Sequence, residues 1–113
     1  MVGASFKVGG VLIVAAGATR LYNDTTRTWT ITSVRATVEV APSASSVIVD
    51  VNKSGTTIFT TQANRPTIAT STLTSGKITS MNVTSVAPGE YLTVDVDQTG
   101  TSAAELTVLV VIS

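Results

Sequence analysis

Hydrophobic and polar residues alternate along several segments of the chain, with the period of two that is typical of half-buried strands. The clearest segments are residues 34–40, 47–52 and 92–97. Residues 106–112 also alternate, but Leu109 and Val111 are apolar at the positions that would otherwise face solvent. We therefore predict a strand at each segment, and we expect both faces of the last one to be covered, one of them by a neighbouring subunit.

The alternation changes phase within one of these strands. Trp29 and Ile31 are apolar at odd positions, whereas Val34 begins a series at even positions. A one-residue shift of this kind predicts a β-bulge near Thr32 and Ser33. Weaker patterns predict short strands at residues 11–14, 58–59 and 78–86, which brings the total to about eight.

A short internal similarity links two turns of the chain. Residues 49–56 (VDVNKSGT) recur as residues 94–101 (VDVDQTGT). We predict two related hairpins, in which Asn52 or Asp97 opens the turn through a side-chain bond to the backbone. Gly55 or Gly100 would then adopt the positive φ that such a turn requires.

These patterns define the predicted fold class. Thr and Val favour strands, and no long window shows the apolar spacing of a helix. Pro, Gly, Asn and Ser cluster between the strands, as turns require. We predict an all-β chain: a single antiparallel β-sandwich, jelly-roll-like, over residues 11–113. Residues 1–10 are predicted to be a flexible N-terminal arm hinged at Gly9 and Gly10.

Composition narrows the range of functions. The 113 residues are 43% hydrophobic, and seven Lys and Arg balance seven Asp and Glu. This neutrality removes the long-range field that would attract nucleic acid or anionic lipid, so we expect neither as a partner. The chain has no Cys and no His, which excludes thiolate sites and most acid-base constellations. We therefore expect neither an enzyme nor a cofactor.

Acidic residues raise two chemical alternatives. Asp50 with Asn52, and Asp95 with Asp97, have the alternate spacing of oxygen ligands for Ca²⁺. We interpret them instead as a solvated strand face with turn-opening side chains. The remaining carboxylates belong to separate segments, which argues against the paired carboxylates of a glycosidase. We therefore predict no metal site and no catalytic residues.

Several strings resemble a small β domain that recurs in structural proteins of tailed bacteriophages. They are residues 34–38 (VRATV), 47–62 (VIVDVNKSGTTIFTTQ), 65–69 (RPTIA), 89–100 (GEYLTVDVDQTG) and 106–108 (LTV). The resemblance covers roughly residues 30–112. It implies a virion component, and such domains occur in head, tail and fibre proteins.

Because the domain fills most of the sequence, we expect a capsid decoration protein on the virion surface. The resemblance then implies a homo-oligomer, with a trimer favoured, that binds and stabilises the major capsid protein shell. We expect residues 1–10 and the arginines of the first half to make the attachment. The candidate contact residues are Phe6, Lys7, Arg20, Arg27 and Arg35, and the competing interpretation of the arginines is an ordinary solubilising surface.

Two other classes of function remain open at this point. The first is a tail, baseplate or fibre module that recognises a host-surface glycan. The second is a secreted or enzymatic accessory domain, which would require a bound metal or an acidic pair facing a pocket.

Overall fold

The computed structural model describes residues 2–113, apart from the side chain of Ala18, and these residues form nine strands. The strands are β1 (Val2–Val11), β2 (Ala15–Tyr22), β3 (Trp29–Val40), β4 (Val47–Lys53), β5 (Thr56–Thr57), β6 (Thr67–Ile68), β7 (Ser85–Val86), β8 (Tyr91–Thr99) and β9 (Ala104–Ile112). A turn of 3₁₀-helix spans Gln62–Asn64. Within residues 2–113, no helix has the length and apolar character needed to cross a bilayer.

The strands form two antiparallel sheets that pack as a sandwich. The first sheet has the order β1-β9-β3-β7. The second has the order β2-β8-β4-β5, and β6 also pairs with β4. The predicted all-β antiparallel sandwich is therefore confirmed, while its jelly-roll character stays a prediction.

The core lies between the two sheets and is built mainly from Val, Ile and Leu. On β4 and β8, alternate apolar residues are fully buried, and Asp50 and Thr93 between them are buried as well. The largest fully buried side chains are Phe59, Ile31, Ile58, Ile68, Leu92 and Leu106. Burying an aliphatic or aromatic side chain of this size stabilises a fold by about 1.5–3 kcal/mol.

The predicted phase change in β3 is confirmed. Ile31 pairs with Ile112 of β9, whereas Ser33 pairs with Val111, so the register shifts between Ile31 and Ser33. The shift lets Ile31 and Val34 both reach the core, because a bulge reverses the side of the sheet on which later side chains lie.

The predicted N-terminal arm is instead an edge strand. Residues 2–8 of β1 pair continuously with β9, and the register shifts only between Val8 and Val11, around the two glycines. Phe6 is buried in the core. The segment is therefore held by a ladder of backbone hydrogen bonds and by a buried ring, and Met1 lies outside the described residues.

Only one of the two similar segments is a hairpin. Residues 49–56 join β4 to β5 in a hairpin as predicted, with Asn52 paired with Thr57 and Lys53 with Thr56. Residues 94–101 instead leave β8 in the second sheet and lead to β9 in the first. Gly55 and Gly100 both have the predicted positive φ, of 87° and 66°. Asn52 and Asp97 do not open turns, since Asn52 donates to Asp95 and Asp97 pairs with Arg65.

Three of the weaker strand predictions are wrong in their bounds. Residues 12–14 connect β1 to β2, and Ile13 and Val14 are exposed. Ile58 and Phe59 are buried just after β5. Residues 78–86 contain only β7 and an isolated bridge from Ile78 to Val34. Apolar side chains in these segments do not by themselves produce strands, because strand pairing depends on a partner elsewhere in the chain.

Candidate protein-binding face

The five predicted contact residues lie in different parts of the molecule. Phe6 is 2% exposed, so it cannot contact a partner, because it points from β1 into the core. Lys7 and Arg35 both face outward from the first sheet, on β1 and β3. Arg20 lies on β2 of the second sheet, and Arg27 is exposed in the loop before β3. The structure therefore places only Lys7 and Arg35 on the same face, on the two strands that flank β9.

The outer face of the first sheet carries an apolar strip on β9. Leu109 and Val111 alternate with the buried residues Val108 and Val110, so their side chains lie on the outward side of the strand. Both are half-buried. No element of the described chain covers this side completely, and its expected cover by a neighbouring subunit stays a prediction.

A glycine on the neighbouring strand makes room for this strip. Gly3 of β1 pairs with Val111, and a Cβ atom at Gly3 would lie 3.0 Å from Cδ1 of Leu109. The close approach leaves no space there for a side chain without displacing Leu109. β1 therefore flanks the strip without covering it.

The strip forms the floor of an open groove of about 370 Å³, which we call the β9 groove. It is lined by Thr32, Ser33, Arg35, Lys77, Thr79, Leu109 and Val111. The groove thus combines two aliphatic side chains with hydroxyl groups and two cations. This composition suits a protein segment that offers an apolar side chain beside a carboxylate.

The two cations of the β9 groove have no acidic partner within the described chain. The salt bridges among residues 2–113 join Lys53 to Glu90 and Arg65 to Asp97. Arg35 instead donates from Nη1 to Oγ1 of Thr74 at 3.1 Å. This hydrogen bond fixes the guanidinium at the rim while leaving other N–H groups able to bind a carboxylate.

The opposite end of the same face is acidic. Glu39, Glu105 and Lys7 line a second, smaller groove of about 250 Å³. Oε1 of Glu105 accepts a hydrogen bond from the backbone N–H of Gly10 at 2.8 Å. The face therefore has a positive apolar end and a negative end, which would orient a bound partner.

The residues considered for Ca²⁺ are bonded to one another and to the backbone. Oδ1 of Asp50 accepts from the backbone N–H of Val51 at 2.8 Å and from Oγ1 of Thr57 at 2.7 Å. Oδ2 of Asp95 accepts from Nδ2 of Asn52 at 2.7 Å. In the part of the chain that the structure describes, no group of three or more acidic side chains is placed to hold a metal ion.

Asp50 is only 5% exposed, so it does not belong to a solvated strand face as predicted, and its pKa is raised above the ordinary value. Burial raises its pKa, and the negative charge of Asp97 acts in the same direction. Hydrogen bonds from Thr57, Gln62 and the backbone of Val51 oppose that rise. Since its hydrogen bonds come from β4, β5 and the 3₁₀ turn that follows β5, we assign Asp50 a structural role.

The sequence interpretation missed Lys77 in the β9 groove and Gly3 beside it. Lys77 lies outside any strand, and it reaches the groove because the bridge from Ile78 to Val34 brings its segment alongside β3. Gly3 had no distinguishing pattern. The sequence did carry one signal for the site, which was the pair of apolar residues Leu109 and Val111 on the outward side of β9.

Comparison of the chain with models of known protein families, with characterised proteins and with solved structures finds no match.

Proposed function

We propose that this chain is a bacteriophage virion structural protein, a capsid decoration protein that binds the major capsid protein and stabilises the shell. The observation that carries the proposal is the β9 groove, an apolar strip bordered by Arg35 and Lys77. The resemblance of residues 30–112 to domains of tailed-phage structural proteins supports the virion context.

Attachment in this proposal uses the outer face of the first sheet. An apolar side chain of the capsid protein fills the space above Leu109 and Val111, and a neighbouring carboxylate pairs with Arg35 or Lys77. Interfaces of stable complexes bury about 1,200–2,000 Å² in total, so the acidic end at Glu39 and Glu105 also takes part. Many copies on one shell add buried area between neighbouring capsid subunits.

A second apolar surface supports association between copies. At one end of the sandwich, Val11, Ile13 and Val14 are 71%, 70% and 70% exposed, and Val40 is 47% exposed. Val11 and Val40 flank Ala104 from either side of β9. We refer to these four residues as the apolar tip. Clustered exposed aliphatic residues are typical of association surfaces, and in this proposal the tip joins the chains of a homotrimer.

Binding to shells that lack this protein tests the attachment directly. Leu109→Asp places a carboxylate over the apolar floor, and it should reduce shell affinity by at least about tenfold, as loss of an interface anchor does. Leu73→Asp is the matched control, because Leu73 is 53% exposed and lies outside the β9 groove. A second variant, Arg35→Glu with Lys77→Glu, removes the cations without changing the floor. Full shell binding by both groove variants would contradict the proposal.

The second candidate function is a tail, baseplate or fibre module for host-surface recognition. The observation that favours it is a polar pocket on the outer face of the second sheet. This pocket lies on the opposite side of the sandwich from the β9 groove. The two functions predict different locations on the particle. Gold-labelled antibody against the chain should decorate heads in the first case and tail tips in the second.

A further inference from the structure

The outer face of the second sheet contains a pocket of about 230 Å³, which we call the tyrosine pocket. It is lined by Ala16, Gly17, Arg20, Asn52, Gly55, Tyr91, Thr93 and Asp95. These residues come from β2, β4, β8 and the turn after β4. Pockets for drug-sized ligands have volumes of about 300–1,000 Å³, so this one suits a single ring.

One side of the tyrosine pocket presents a fixed cation. The guanidinium carbon of Arg20 lies 4.6 Å from the centre of the Tyr91 ring. Its Nη1 donates to the hydroxyl of Tyr22 at 3.2 Å, and the rings of Tyr22 and Tyr91 lie 5.1 Å apart. An exposed arginine held in this way has lost much of its rotamer freedom before any ligand arrives, which lowers the entropic cost of binding.

The other side presents oriented acceptors. Oδ1 of Asp95 accepts from the backbone N–H of Gly17 at 2.7 Å, and Oδ2 accepts from Nδ2 of Asn52 at 2.7 Å. These bonds fix the carboxylate, and each of its oxygens keeps a further lone pair. Asn52 uses Nδ2 to bind Asp95, and the Oδ1 atom of Asn52 is another acceptor.

This arrangement selects a class of ligand. An inorganic anion would meet the negative charge of Asp95, and a simple cation would meet Arg20. An apolar ring would displace water from the remaining N–H groups of Arg20 and the remaining lone pairs of Asp95 without bonding to them, at a cost in affinity. A ring with several hydroxyl groups can donate to Asp95 and Asn52 while accepting from Arg20. We propose that the tyrosine pocket binds a neutral sugar ring, such as one unit of a surface glycan.

The site is independent of the proposed attachment to the shell. The β9 groove and the tyrosine pocket lie on opposite outer faces and share no lining residue. A shell-bound copy would therefore present the pocket to solvent. Loss of one function by mutation should leave the other unchanged.

Nuclear magnetic resonance titration of the ¹⁵N-labelled protein tests the proposal. The probes are D-glucose, D-galactose, D-mannose and N-acetyl-D-glucosamine, each added to millimolar concentration, with inorganic phosphate as the anion probe. We expect at least one sugar to shift the backbone amide signals of Gly17, Asn52 and Gly55 in a saturable way. Phosphate should leave these signals unchanged.

Variants distinguish a pocket from general surface effects. Arg20→Ala and Asn52→Ala should each weaken sugar binding by about tenfold, the equivalent of about 1.4 kcal/mol. Arg27→Ala is the matched control, because Arg27 is an exposed arginine outside the pocket, and it should bind as the unmodified protein does. Binding of phosphate alone, absence of any sugar-induced shift, or full binding by both pocket variants would overturn the proposal. Shell binding by Arg20→Ala separates this result from the proposed function.

Discussion

Asp50 lies directly opposite Asp95 on the paired strands β4 and β8. The two carboxyl groups have different surroundings, because Asp50 is buried while Asp95 lines the tyrosine pocket. Burial raises the pKa of Asp50 above its ordinary value. One residue pair thus combines a structural carboxyl with one that is accessible to a ligand.

The raised pKa of Asp50 makes stability depend on pH. The folded protein binds this proton more tightly than the unfolded chain, so the free energy of unfolding should fall as the pH rises through the folded-state pKa. Asp50→Asn retains a side-chain oxygen for Val51 and Thr57 and removes the charge. In this variant the free energy of unfolding should not show the decline that Asp50 causes above about pH 4, where an ordinary carboxyl group titrates.

Urea unfolding at about pH 4 and about pH 7 measures the effect. Asp24→Asn, which changes an exposed loop carboxyl, is the control and should keep the pH dependence of the unmodified protein. An identical dependence in Asp50→Asn would show that Asp50 does not titrate as described.

Replacing Gly100 should be costly. Its φ is 66°, and a Cβ atom there would lie 2.8 Å from Cβ of Pro42 and 2.9 Å from the backbone oxygen of Ser45. Gly100→Ala therefore combines backbone strain with overpacking. We expect it to lower the free energy of unfolding by about 1–3 kcal/mol or more. At Gly55, where φ is also positive but nothing lies within 4 Å of such an atom, alanine should cost less. Equal melting temperatures for the two variants would contradict this explanation.

Asn23 organises the loop before β3. Its buried Nδ2 donates to the backbone oxygens of Val86 and Arg27, and its Oδ1 accepts from the backbone N–H and the hydroxyl of Thr25. Asn23→Ala leaves these groups without partners, which should lower the free energy of unfolding by about 1–3 kcal/mol or more. Asp24→Ala next to it should change stability by no more than about 0.5 kcal/mol. Thermal unfolding that shows no difference between them would refute the role of Asn23.

Two neighbouring residues of the N-terminal strand β1 should contribute very differently to stability. Phe6→Ala should destabilise the fold by about 3–5 kcal/mol, because it leaves a cavity in the core. Lys7→Ala, on the outward side of the same strand, should change stability by only about 0.5 kcal/mol. Chemical denaturation of both variants checks this. A small effect of Phe6→Ala would favour the flexible arm that the sequence suggested.

The sequence predicted the strands that carry strong alternation. β3, β4, β8 and β9 agree with their apolar patterns, and even the bulge near Ser33 was visible as a change of phase. β1 and β2 were not predicted, because their small residues and glycines have weak strand preference of their own. Their conformation depends on pairing with β9 and β8, which are distant in sequence.

The candidate sites were predictable only in part. Leu109 and Val111 could be recognised as apolar residues on the outward side of a strand. The approach of Lys77 to Arg35 depends on an isolated bridge that no local pattern encodes. Tyr22 and Tyr91 are far apart in sequence and meet only because β2 pairs with β8, so the tyrosine pocket could not be foreseen.

Cryo-electron microscopy of the intact particle tests the central proposal most directly. We expect symmetry-ordered density for this domain on the shell, with Leu109, Val111 and Arg35 of the first sheet against the major capsid protein and Arg20 facing solvent. Density confined to the tail, or shell density in which the first sheet faces outward, would contradict the account.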